Sequence, residues 1–285
     1  MPDRIPGKGE AMARMASFSL KLLVDAGIPT HFLRFEAPDC IEVRLLRIMD
    51  PEEQPLAPTD YVRLIPLQVI YRNRLPQGSS VFRRLAANSL ALEDIGLRDM
   101  PVPGHSLLRP AIEFTTKLEE IDRHVSPREA QSIAGLDDAQ FARVRELTLD
   151  VNRVLCRHAE AAGLELADGK VEFGLDELGN VILVDTAGTL DENRFLRNGV
   201  HVSKQLIRNY YLPSGLEERI QSWVAAGRAR SSWPTPPPLP PALVELASDL
   251  YRSMAERWTG ERWGAPDLED VVARIRERSL AGDAS

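Results

Sequence analysis

Cysteine is nearly absent from this 285-residue chain, which has two, Cys40 and Cys156, far apart and outside any CxxC pattern. That argues against a disulfide scaffold or a cysteine-based zinc site and fits a reducing compartment, so a cytoplasmic location is expected. The opening stretch MPDRIPGKGEAMARM has no apolar core and does not read as a secretory signal. No apolar run approaches the ~18–20 residues needed to cross a bilayer. An excess of positive charge is missing too: 35 Lys and Arg against 42 Asp and Glu give a net charge of −7. General binders of nucleic acid or anionic membranes carry a basic footprint, so neither partner is expected. A local basic pocket for a phosphorylated small molecule stays compatible with this balance.

What is present is ordinary globular material, 44% hydrophobic and 27% charged. At roughly 150 residues per domain, the length fits two domains or one large two-lobed unit. Residues 10–26 show helical spacing and stop at Gly27. Segments 30–35, 40–48 and 62–73 read as strands, with Pro66 at a bulge or on an edge. Together they suggest a small antiparallel sheet with one helix. A short helix follows Gly78-Ser79-Ser80, and 111–116 reads as a strand. A long amphipathic helix over 137–162, with Asp137 or Asp138 as its cap, ends at Gly163. Two β-rich runs, 164–174 and 180–185, flank a hairpin turn. The proline run 234–241 reads as a stiff connector, and helices follow over about 241–258 and 266–280. Strands first and helices later indicate an α+β fold rather than a doubly wound parallel sheet.

The hairpin 168–185 carries the most chemistry. Pairing Leu175 with Asn180 sets Lys170 opposite Asp185 and Glu172 opposite Leu183, and so places Lys170, Glu172 and Asp185 on one face. Val171, Phe173, Ile182 and Val184 then fall on the apolar face. Two carboxylates and a lysine suit a magnesium–phosphate site, because Mg²⁺ takes one or two carboxylates plus phosphate oxygens. A surface ion pair fits the same pattern equally well. Arg72 and its neighbours lead into the Gly-Ser turn, where a helix start, Ser79 or Ser80 and an arginine would cradle a phosphate. Solvated charges beside a Gly-Ser turn are the commoner arrangement. Glu113 to Lys117, with Asp122 beyond, carries a weaker signal. Gly7-Lys8-Gly9-Glu10 lacks Walker spacing and reads as a helix entry. His31, His105, His124, His158 and His201 show no ligand spacing, and His158 reads as structural.

In order, GKGEAMARM, AGIPTHF, YRNRLPQGSS, EFTTK, ELTLDVNRVL, GKVEFGLDELGNVILVD and DENRF resemble the SAICAR synthetase family over nearly the whole chain. The segments LPQGSS, VHVSKQLIRNYY and LPPALVELASDLYRSMAERWTG resemble an archaeal-like branch of it. The resemblance implies a small antiparallel β lobe and a larger α+β lobe with C-terminal helices, divided here as 1–75, 76–232 and 233–285. It implies an ATP- and Mg²⁺-dependent ligase that joins the carboxylate of carboxyaminoimidazole ribonucleotide to the amine of L-aspartate. Carried over by motif, Glu172 and Asp185 are the metal carboxylates, and Lys170 lies beside them as a catalytic and nucleotide-contacting residue. Arg72, Ser79, Ser80, Lys117, Asp122, Asp191 and Arg194 are substrate contacts. A homo-oligomer is compatible with this assignment.

Two departures from the family pattern stand out. Typical members carry further strands before the GKGE segment, with a glycine loop whose lysines cover the ATP phosphates, so the small lobe is expected to be truncated. After Asp185 this chain has Thr186-Ala187-Gly188, where many members have a second acid. Two alternatives follow. One is a homologous ligase of a specialised nucleoside pathway using another carboxylate or amine. The other is a catalytically inactive remnant that binds a ribonucleotide.

Overall fold

The elements expected from periodicity are largely in place in the computed structural model, which describes residues 3–229 and 232–282. Gly7, at φ 72°, turns the chain into helix α1, Lys8–Asp25, so the Gly-Lys-Gly-Glu stretch is a helix entry. Asp137 caps α4, Asp138–Ala161, in a reciprocal box: its side chain accepts from Gln140 N, and the Gln140 side chain accepts from Asp137 N. The proline run delivers Pro241 to the first turn of α7, Pro241–Thr259, where a missing N–H costs nothing. Helix α8, Leu268–Gly282, follows.

Strands β1, Phe32–Glu36, and β2, Cys40–Val43, form a separate two-stranded sheet. The main sheet has seven strands in the order β5-β4-β3-β6-β8-β9, with β7 on the second half of β6. Its centre is β3, Arg63–Leu75, antiparallel to β4, His105–Thr116, and to β6, Glu165–Leu175. The edges are β5, His124–Val125, and β9, Val200–His201, while β7 is Val181–Val184 and β8 is Asn193–Arg197.

The sequence grouped β3 with the small sheet, and the structure corrects this: among the described residues, the segments flanking β1 and β2 meet the main sheet through two isolated bridges, Arg47 to Arg63 and Thr30 to Leu183. The reason is burial. Leu67, Val69 and Tyr71 are fully buried against the helices, a demand that a small exposed hairpin cannot meet. Pro66 lies where the β3–β6 register shifts between Leu64 and Gln68, as a bulge would have it. Strand β4 starts earlier than expected, because its first half is mostly exposed and shows no clean alternation.

One face of the main sheet is apolar. Tyr71, Phe114, Val171, Phe173 and Phe195 join the core with α1, α4 and α7. Trp258 of α7 is 1% exposed, and its Nε1 donates to Ser19 Oγ of α1 at 2.8 Å. His158 is structural: its Nε2 donates to Trp258 O at 2.7 Å, and its ring lies between Phe18 and Trp258. The fold is α+β, and its other sheet face is left free for charge.

Candidate functional site

Register places the polar side chains. On β3, Gln68 and Arg72 alternate with the buried Val69 and Tyr71. Gln68 faces Glu172 and Thr115, Ile70 faces Lys170 and Glu113, and Arg72 faces Asp168, which in turn faces Arg194. Period-two geometry therefore gathers residues from β4, β3, β6 and β8 on one face. Gly169 permits the tight approach of these strands: a Cβ there would sit 2.1 Å from Asn193 Nδ2 and 2.4 Å from Tyr71 Oη.

One end of that face is a row of alternating charge. Arg72, 3% exposed, donates to Glu113, to Asp168 Oδ2 at 2.9 Å and to Ser80 Oγ at 3.3 Å. Arg84 also donates to Glu113, and Arg194 Nε lies 3.4 Å from Asp168 Oδ1. Burial pushes the Glu113 carboxyl up, but Arg72 and Arg84 outweigh it and hold it below the usual carboxylate range. Burial works against the Arg72 charge as well, yet Glu113 and Asp168 raise its pKa. The row ends in an orphan: Arg194 Nη1 is buried without a partner among the described residues. Such a buried, unpaired donor suits an oxyanion. Ser79 is spoken for differently, since its hydroxyl accepts from Val81 N at 3.4 Å and caps helix α2, Ser80–Ala86.

The other end holds Glu172, 4% exposed, which accepts from Lys117 Nζ at 2.5 Å. Lys170 Nζ lies 3.3 Å from Glu192 Oε2, and its backbone N donates to Glu192 O at 3.0 Å. The Gln68 amide, turned to satisfy both neighbours, donates to Asp122 Oδ2 and accepts from Lys170 Nζ, each at 3.3 Å. Gln68 thus links the exposed Asp122 to Lys170.

The hairpin register differs by one residue from the sequence reading. Leu175 pairs with Val181 and Glu172 with Val184, not Leu183. The Asp176 side chain accepts from Leu178 N and Asn180 N, and Gly179 at φ 78° closes a loop of five residues rather than four. Consequently Ile182 and Val184 share the Glu172 side with Leu64 and Leu46, while Val181 and Leu183 join the main core. Asp185 is not opposite Lys170. It leaves the strand at φ 59°, exposed, with its backbone O accepting from His31 Nε2 at 3.2 Å. Even so its charge reaches Glu172: burial first, and Asp185 in addition, raise the Glu172 pKa against Lys117.

Asp191, an expected substrate contact, is already engaged within the protein. Its carboxylate is occupied by Tyr251 Oη at 2.5 Å and Lys8 Nζ at 2.7 Å. Sequence reasoning did not assign Asp168, Gln68, Arg84 or Glu192. Asp168 was within reach, since it sits two residues before Lys170 in the same alternation. Gln68 and Arg84 depend on the β3–β4 register, which local sequence does not carry.

The residues fit Mg²⁺ with a nucleotide phosphate in one respect that the structure supplies. Among the described residues the Asp185 carboxylate takes no hydrogen bond or ion pair, and Glu172 uses only Oε1. Two carboxylates coupled by charge, each with free oxygen, are what a hard cation takes.

Comparison with known proteins identifies the family. The SAICAR synthetase family model matches residues 1–222. A putative phosphoribosylaminoimidazole-succinocarboxamide synthase of Archaeoglobus fulgidus is 36% identical over 294 residues, spanning 97% of this chain and 88% of the relative. The corresponding synthase of Thermoplasma acidophilum is 35% identical over 270 residues, spanning 92% and 89%. A SAICAR synthetase structure (type 2) in complex with ADP superposes with a TM-score of 0.63 at 23% identity, over 92% of this chain and 85% of that one. The type 1 structure from Pyrococcus horikoshii gives 0.63 at 22%, over 92% and 87%.

Sheet, helices and relatives together define an α+β ligase with a charged sheet face. Within that class, the chain belongs to the SAICAR synthetase family.

Proposed function

We propose that this protein is an ATP-dependent carbon–nitrogen ligase that joins the carboxylate of carboxyaminoimidazole ribonucleotide to L-aspartate. The products are SAICAR, ADP and phosphate, a step of purine biosynthesis. The observation that carries the reading is the row Arg84–Glu113–Arg72–Asp168–Arg194, which ends in a buried, unpaired guanidinium nitrogen. It supports a site for the phosphate of the ribonucleotide, with Ser80 Oγ and the start of α2 beside it.

Glu172 and Asp185 would hold Mg²⁺, with Lys170 and Lys117 flanking them. Bound Mg·ATP supplies the phosphoryl group that activates the substrate carboxylate. Lys170 neutralises charge on that carboxylate, and Glu192 fixes its ammonium in place. Asp122, held through Gln68, orients the incoming amine. The apolar group Leu46, Leu64, Ile182 and Val184 on the Glu172 side offers contact for a base ring. No covalent nucleophile of the protein is required, so rate comes from positioning and charge neutralisation.

The test is ADP release by the purified chain with Mg·ATP, carboxyaminoimidazole ribonucleotide and L-aspartate, each omitted in turn. Release that needs all three supports the reading. Release that persists without aspartate, or appears only with another amine, points to the specialised-pathway homologue. Ribonucleotide binding without release identifies the inactive remnant.

A further inference from the structure

The Asp191–Glu192 turn ties distant parts of the chain to the site. On its outer side, Tyr251 Oη of α7 donates to Asp191 Oδ1 at 2.5 Å, and Lys8 Nζ of α1 lies 2.7 Å from Asp191 Oδ2. Lys8 Nζ also sits 4.8 Å from the centre of the Tyr251 ring, so the two partners brace each other. Lys204 Nζ, from the turn before helix α5, Gln205–Tyr211, donates to Asp191 O. On the inner side, Glu192 holds Lys170 at both ends: its carbonyl takes Lys170 N and its carboxylate takes Lys170 Nζ. Two residues on, Arg194 enters β8 and meets Asp168.

The outer partners are themselves fixed. Tyr251 is 1% exposed. Gly7, just before Lys8, has φ 72°, and a Cβ there would lie 3.1 Å from Arg252 Cδ, so α1 begins flush against α7. Ser248 Oγ donates to Pro6 O at 2.7 Å and strengthens that seam. Removing the Tyr251 hydroxyl leaves a largely buried carboxylate oxygen without its partner, on the turn that sets where Lys170 points.

We propose that Tyr251 and Lys8 are positioning residues for the ligase reaction: they hold Asp191, and through it the Glu192–Lys170 pair, in the working geometry. Helix α7 lies beyond the residues 1–222 matched by the family model, so this gives the C-terminal region a part in the site. The inference rests on the reading of Lys170 as a substrate-facing group.

The test compares wild type with Tyr251→Phe, Lys8→Met and Asp191→Asn by two readouts. The first is steady-state turnover with Mg·ATP, carboxyaminoimidazole ribonucleotide and L-aspartate. Each variant is expected to lower kcat by about tenfold, as for a lost charge-assisted bond, with KM for ATP within about twofold. Tyr251→Phe combined with Asp191→Asn should be no worse than Asp191→Asn alone, because both remove one contact. The second readout is hydrogen–deuterium exchange in the full chain. Peptides covering residues 189–197 should exchange faster in Tyr251→Phe, while those of α4 keep wild-type rates.

Unchanged kcat in Tyr251→Phe and Lys8→Met, or additive effects in the double variant, overturns the proposal. So does unchanged exchange at 189–197. A lowered Tm with unaltered kcat leaves Tyr251 a core residue and overturns it equally. If the wild type shows no turnover with these substrates, the functional reading fails on its own account, and the exchange experiment alone decides the positioning link.

Discussion

Arg72 and Asp168 face each other across β3 and β6, and Arg72 Nη1 donates to Asp168 Oδ2 at 2.9 Å with both side chains almost fully buried. Two neighbouring strands thus contribute opposite charges to a single point, and Glu113 and Arg194 extend the alternation to either side. A buried acid or base without its partner is expensive, so this row behaves as one unit.

Substitution of Arg72 separates binding from stability. Arg72→Ala takes from Glu113 and Asp168 one of the two arginines that each contacts, and should cost about 3–5 kcal/mol in urea unfolding. Arg72→Lys keeps the charge but loses the planar fork that reaches Glu113, Asp168 and Ser80. In steady-state kinetics it should raise KM for the phosphorylated substrate by about 1.5–3 kcal/mol, with KM for ATP little changed. An unaltered KM in that variant would remove Arg72 from substrate binding.

Asp185 is exposed and otherwise unengaged, so Asp185→Ala should leave the fold intact. Turnover with Mg·ATP should fall by about a hundredfold or more, as expected for loss of a carboxylate that would hold the cation neutralising the reacting phosphate. Ribonucleotide affinity by calorimetry should stay near wild type. Turnover at wild-type level would sink the metal assignment.

Arg63 is fully buried, and its guanidinium donates to Asp60 O at 2.8 Å, Ala134 O at 2.8 Å and Gly135 O at 3.2 Å. It ties the end of helix α3, Pro127–Ala134, to β3. Arg63→Met fills similar space but leaves those carbonyls unpaired. The expected loss is about 2–4 kcal/mol in chemical denaturation, with KM values unchanged in the folded fraction.

Acid should weaken the fold before carboxylates titrate in bulk. Burial, and then Arg84, push the His124 pKa from 6.5 down to about 4, against the pull of Glu113. The folded state therefore prefers the neutral ring. Its contribution is intact above pH 6.5 and is lost as pH falls from 6.5 towards 4, where the unfolded chain takes the proton first. Glu113, held low by Arg72 and Arg84, adds a loss of the same sign at lower pH. Glu172, raised by burial, acts in the opposite sense. Urea unfolding at pH 7 and pH 5 should differ by about 1–2 kcal/mol from His124, and His124→Asn should remove that part.

Much of this architecture was legible in the chain because local signals agreed. The Asp137 cap, the Gly163 stop and the proline connector each fixed a helix end by short-range chemistry. Period-two alternation brought Lys170 and Glu172 to one face, the arginine-bearing strand end before the Gly-Ser turn pointed to Arg72, and the family motifs added Arg194. What escaped was non-local. The place of β3 in the main sheet depended on where its buried Leu67 and Tyr71 could pack, not on its own pattern. The hairpin register turned on one loop residue, because Asp176 caps the turn and shifts every partner by one. Asp191 looked like a substrate contact, and only the fold shows that Lys8 and Tyr251, at opposite ends of the chain, occupy it.

The seam between residues 3–8 and α7 has a consequence for synthesis on the ribosome. Leu239 N donates to Asp3 Oδ2 across 236 residues of sequence, and Lys8 waits on Tyr251 for its stacking partner. The first helix emerges early, but its docking surface is translated almost last. Contacts of such separation form late, so the nascent chain holds an unfinished Asp191 hub until α7 clears the exit tunnel. Premature termination between His201 and Tyr251 would therefore release a chain that holds every strand of the sheet but leaves Asp191 without its Tyr251 partner.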